Sequence, residues 1–111
     1  MSTNRAALEP LRSLAFGSIS GTYAAVGSGF DHPIRLICIT NNTQGDMIFS
    51  LNAIDDHLFV AAGSFKLFDI TTNHRPANVD DFVFPVGMVI YVKQSTAPVS
   101  GSVYVEVMYA Q

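Results

Sequence analysis

The chain has 111 residues, enough for one domain with a real hydrophobic core. Hydrophobic residues make up 49% of it and charged residues only 14%, against about 25% in ordinary soluble domains, so ionic groups are too few to coat a free monomer. A net charge of −3, with six Lys plus Arg placed singly, gives no basic stripe and argues against sequence-specific nucleic-acid binding.

No run approaches the ~18 continuous apolar residues of a spanning helix, so no membrane partner is expected. The segment from Met1 to Arg12 lacks the basic start, apolar stretch and small-residue cleavage site of a secretory signal. Low charge without a membrane segment suits a protein that hides surface against partner subunits. Cys38 is the sole cysteine, so no intrachain disulfide is possible, and its place between Ile37 and Ile39 reads as a buried, inert thiol.

Residues 1–13 read as an N-terminal arm outside the core, because Pro10 breaks any regular element there. The domain proper is expected over residues 14–111. Short strands are predicted at 14–19 and 22–26, split by Ser20 and Gly21, and Pro33 then stops pairing at the end of a Gly-rich loop. Residues 34–51 carry the strongest pattern: two apolar runs joined by the polar knot 41–46, which predicts a β-hairpin. In its second strand Met47, Phe49 and Leu51 alternate with Ser50 and Asn52, giving one dry face. In the first, Leu36 and Cys38 oppose Ile37 and Ile39, so both faces want cover. Further strands are expected at 58–61, 65–71, 82–84, 88–93 and 103–109, with 72–81 as the longest exposed loop. In the last, Val103, Val105 and Val107 face the core while Tyr104, Glu106 and Met108 face out. No window shows a 3.6-residue apolar period. The expected fold is an all-β antiparallel sandwich, jelly-roll-like or Ig-like, with Leu36, Phe49, Leu67, Ile90, Val105 and Val107 in its core.

Reaction chemistry is absent from this reading. Asp55, Asp56 and His57 are the most tempting cluster, since carboxylates beside an imidazole can hold a divalent ion and Asp31 with His32 could supply a second half. The spacing matches no calcium loop, and paired Asp before a strand is ordinary turn chemistry, so no metal and no cofactor are assigned. No nucleophile elbow is present, and Gly27, Ser28 and Gly29 precede no helix that would cradle phosphate. No catalytic residues are named, and the chain is expected not to be an enzyme.

Several stretches carry a resemblance. They are Ile39-Thr40-Asn41-Asn42-Thr43 followed by Gly45-Asp46, Ala62-Gly63-Ser64-Phe65, and Phe68-Asp69-Ile70-Thr71-Thr72-Asn73. Two more are the run from Pro85 to Lys93 and Ala97-Pro98-x-Ser100-Gly101-x-Val103-Tyr104-Val105. Together they span roughly residues 34–109 and resemble small all-β virion proteins of tailed bacteriophages. That resemblance implies a symmetric set of copies in the virion, with self and other virion proteins (portal, connector or capsid subunits) as partners. The expected role is a collar or connector ring at the head-to-tail neck, or a clamp on the capsid. Alternatives are a capsid decoration or cement protein, and a carbohydrate-binding sandwich for host attachment. Arg5, Leu8, Arg12, His74 and Arg75, from the arm and the 72–81 loop, are the expected assembly contacts.

Overall fold

A computed structural model describes residues 6–69 and 85–110. The strands are β1 (Ala6–Leu8), β2 (Arg12–Ala15), β3 (Ala24–Ala25), β4 (Leu36–Thr43), β5 (Met47–Ser50), β6 (Leu58–Val60), β7 (Phe65–Asp69), β8 (Tyr91–Gln94) and β9 (Gly101–Ala110). A 3-10 turn, Phe16–Ser18, follows β2 where the sequence predicts continued strand. The expected strand at 82–84 and the loop at 72–81 lie outside the described residues.

Two antiparallel sheets pack face to face. The first runs β1-β9-β4-β7, with β2 also on β9, and the second runs β3-β8-β5-β6. Among the described strands, only β5 and β6 are consecutive and pair with each other; each other step from β2 onward passes from one sheet to the other. Eight strands wound this way, β2 to β9, are a jelly roll, whereas an Ig-like domain orders its strands differently.

The expected hairpin over residues 34–51 does not form. β4 pairs with β9 on one side and β7 on the other, while β5 pairs with β6 and β8 in the opposite sheet. The polar knot explains why. Asn41 to Thr43 continue β4, and Asn41 and Thr43 are buried inside the fold while Asn42 faces out. Buried Asn41 donates through Nδ2 to the carbonyls of Gly45 at 2.8 Å and Val60 at 3.0 Å. Its Oδ1 accepts from the Thr43 hydroxyl at 2.7 Å. This corner lets the chain step from one sheet to the other with its polar groups satisfied. A Cβ at Gly45 would run into the Thr96 carbonyl oxygen, so glycine is required where the crossing passes that loop.

The core lies between the sheets: Ile37 and Ile39 of β4 and Val103, Val105 and Val107 of β9 meet Met47, Phe49, Val60 and Val92. Of the expected core, Phe49, Ile90, Val105 and Val107 are buried. Leu36 and Leu67 are not in it. They lie on the outer face of the first sheet, where Leu67 is 58% exposed. The cause is the two-sided pattern: with apolar residues on both faces of β4 and β7, alternation cannot say which face points inward. Ser50, expected on a wet face, is buried because its hydroxyl accepts from the N–H groups of Asn52 and Ala53 and shapes the turn after β5.

The N-terminal segment also departs from expectation. Its described part is not an arm outside the core but the edge of the first sheet. Leu8 pairs with Met108 and Arg12 with Val105, so four steps along this segment match three along β9. That extra residue is a β-bulge, and Pro10 sits in it, where a missing N–H interrupts no ladder. In an unbroken strand residues three apart lie on opposite faces. The bulge instead turns both Glu9 and Arg12 inward, and they pair at 2.8 Å.

Candidate assembly surface

The outer face of the first sheet is built from the alternate residues that the core does not take. On β4 these are Leu36, Cys38 and Thr40; on β9, Tyr104, Glu106 and Met108; on β7, Phe65, Leu67 and Asp69. Cross-strand pairing lines them up in rows: Leu8, Met108, Leu36 and Asp69; then Glu106, Cys38 and Leu67; then Tyr104, Thr40 and Phe65. Leu8 is 68% exposed and Phe65 63%, and Glu106 and Asp69 are the charged side chains among them. Between the rows lies a hollow of about 210 Å³ lined by Leu8, Leu36, Cys38, Leu67, Glu106, Val107 and Met108. Cys38 is therefore half-buried at this hollow and not enclosed in the core. Beside it, β7 is the last strand of the sheet among the described residues, paired with β4 on one side.

Among the expected contacts, Leu8 stands at the rim of this hollow. Arg12 does not reach the surface. Its Nε donates to the Ser28 carbonyl at 2.8 Å, and Nη2 donates to the Gly29 carbonyl at 2.9 Å and to Glu9 Oε1 at 2.8 Å. The guanidinium also lies over the Phe30 ring, 5.0 Å from its centroid. Gly27 makes room, since a Cβ there would meet the Arg12 side chain. Arg5, His74 and Arg75 lie outside the described residues.

Sequence reasoning missed Glu9, whose side chain is 1% exposed. Its Oε2 accepts from the Asp31 N–H at 3.1 Å and from His32 Nδ1 at 2.8 Å, and a carboxylate only accepts, so Nδ1 carries the proton. Burial pushes the Glu9 pKa up, but the bonds from His32, Arg12 and Asp31, with the Arg12 charge, outweigh it and hold the carboxyl below its ordinary value. His32 in turn stacks on Tyr109 at 3.6 Å. The cluster fastens the N-terminal edge to the 28–32 loop and to β9. The one sequence cue was Pro10 between two short apolar runs, a sign of a bulged edge strand.

Asp55, Asp56 and His57 sit together after β5 yet take separate partners. Asp56 accepts from the Tyr23 hydroxyl and pairs with Lys93 Nζ at 2.9 Å. Asp55 accepts from Asn52 Nδ2 at 3.0 Å, and His57 Nδ1 accepts from the Leu51 N–H at 3.0 Å. Burial, then the bond to Asp56 and its charge, push the Tyr23 pKa up to about 12, while hydrogen bonds from Tyr23 and Lys93 hold Asp56 low. No three His, Cys, Asp or Glu side chains converge to hold an ion among the described residues.

No protein-family model, curated protein or solved structure matches this chain.

Proposed function

We propose that this chain is a non-enzymatic building block of a bacteriophage particle, assembling with copies of itself into a collar or connector ring at the head-to-tail neck or a clamp on the capsid. The observation that carries the reading is the outer face of the first sheet, where Leu8, Phe65, Leu67, Leu36 and Met108 form a largely apolar surface with Glu106 and Asp69 as its carboxylates. Such a surface favours an apolar partner, and a second copy supplies one. The scarcity of charged residues, 14% of the chain, supports burial of more surface than one jelly roll can bury alone. Every buried polar side chain among the described residues has an internal hydrogen-bond partner, as suits a rigid block. The phage setting is supported by the sequence resemblance and by the recurrence of jelly rolls in viral capsids, which is analogy of fold.

Native mass spectrometry and light scattering test the reading on the purified full chain. Discrete homo-oligomers are expected that dissociate on Leu67→Asp with the melting temperature kept. A strictly monomeric protein at all concentrations would refute self-assembly through this face.

A further inference from the structure

The outer face of the second sheet carries a different kind of surface. Cross-strand pairing sets Lys93, Ile48 and Phe59 in one row, ending on the edge strand β6. Leu58 and Val60 turn inward toward the core, so Phe59 turns out, 51% exposed. A hollow of about 170 Å³ opens beside it, lined by Ile48, Asp56, His57, Leu58 and Phe59.

The polar groups at this hollow are held in place. The His57 N–H donates to the Phe49 carbonyl at 3.0 Å, and Nδ1 accepts from the Leu51 N–H. In the neutral ring the proton then sits on Nε2, which is left as a donor. Asp56 Oδ1 takes both the Tyr23 hydroxyl and Lys93, and Oδ2 is left as an acceptor. Lys93 also rests over the Tyr23 ring at 4.7 Å, so the carboxylate and its ammonium are fixed as a pair.

We propose that this hollow binds a neutral saccharide. An exposed aromatic ring offers a face for sugar C–H groups, and a donor and an acceptor beside it suit adjacent hydroxyls. The Asp56 and Lys93 charges offset one another, which disfavours a cation or an anion as ligand. The site lies on the opposite sheet from the proposed assembly face, so it does not depend on that reading.

Heteronuclear NMR of the isotope-labelled full chain tests this, with glucose, galactose, mannose and rhamnose oligomers as probes and a glucosamine oligomer and polyphosphate as charged controls. At least one neutral oligomer should shift the amides of residues 56–59 saturably. Phe59→Ala should weaken that binding about tenfold or more, while Phe59→Tyr, which keeps the ring, should retain it. The proposal is overturned if no neutral oligomer shifts these amides, if only a charged control does, or if Phe59→Ala leaves the affinity unchanged.

Discussion

The row Leu8, Met108, Leu36 and Asp69 on the first sheet and the row Lys93, Ile48 and Phe59 on the second both point away from the shared core. On the first sheet Leu8, Leu36, Leu67, Phe65 and Met108 form a broad apolar area broken by Thr40, Glu106 and Asp69, and among the described residues β7 is paired on one side only. On the second, an ion pair and a tyrosine hydroxyl cover the row at one end. Inner faces built from the same Val, Ile and Phe repertoire make the sheets equivalent partners in folding. What distinguishes them is what each leaves for a neighbour: a broad, largely apolar surface on one, a small mixed hollow on the other.

The largest expected effect lies on the inner face, where the sheets do not differ. Val105→Asp should prevent folding, because an unpaired carboxylate in this dry layer costs several kcal/mol against a typical total of ~5–15. Circular dichroism and soluble yield would read the loss; a folded Val105→Asp protein would mean the sheets do not share one core. Next comes the edge that only the first sheet carries. Glu9→Ala leaves the Arg12 guanidinium buried without its carboxylate and should cost about 3–5 kcal/mol in urea unfolding. An effect near zero would show that the N-terminal strand is peripheral after all.

Acid should act on the same edge. Because the folded-state pKa of Glu9 lies below its ordinary value of 4.5, its contribution is complete above that value and is lost as pH falls through the folded one. Thermal melts of the native chain should therefore fall more steeply in acid than those of Glu9→Gln, and parallel curves would contradict the assignment. Leu67→Asp should move the monomer's stability by only about 0.5 kcal/mol or less while dissociating oligomers, and Ile48→Asp on the second sheet should leave them intact. Equal dissociation by both variants would erase the contrast between the faces. The smallest effect is expected at Asp56, already engaged by Lys93 and Tyr23: added calcium should leave the melting temperature unchanged, and a clear rise would reveal an ion site.

Alternation along single strands was legible in the sequence, most clearly in Val103, Val105 and Val107, whose outward neighbours are polar or bulky. Pairing was not. Asn41 to Asp46 has the composition of a hairpin turn, and nothing local reveals that Asn41 bonds a carbonyl as distant as Val60. The sequence puts Leu36 and Leu67 inside for a related reason: an apolar residue facing a neighbour and one facing a core look alike in sequence. Glu9 and Arg12 were hidden by the bulge, since a one-residue register shift depends on β9, nearly the whole chain away. For the outer hollow near Phe59, the cluster Asp55, Asp56 and His57 stands out in the sequence, but its aromatic neighbour gains meaning only through the β5–β6 pairing.

The place of β9 carries a consequence for synthesis. This strand, Gly101–Ala110, lies between the N-terminal strands and β4, so the first sheet has no continuous ladder until it arrives. While the chain is still emerging, Ile37 and Ile39 lack the valines that cover them, and β1 and β2 have no partner at all. Closure is thus the last event, and it joins segments at the greatest sequence separation, which slows folding and lengthens the exposure of unpaired edges. Nascent chains arrested just before Gly101 should be open to protease in β2 and β4, and those extended past Ala110 should resist it.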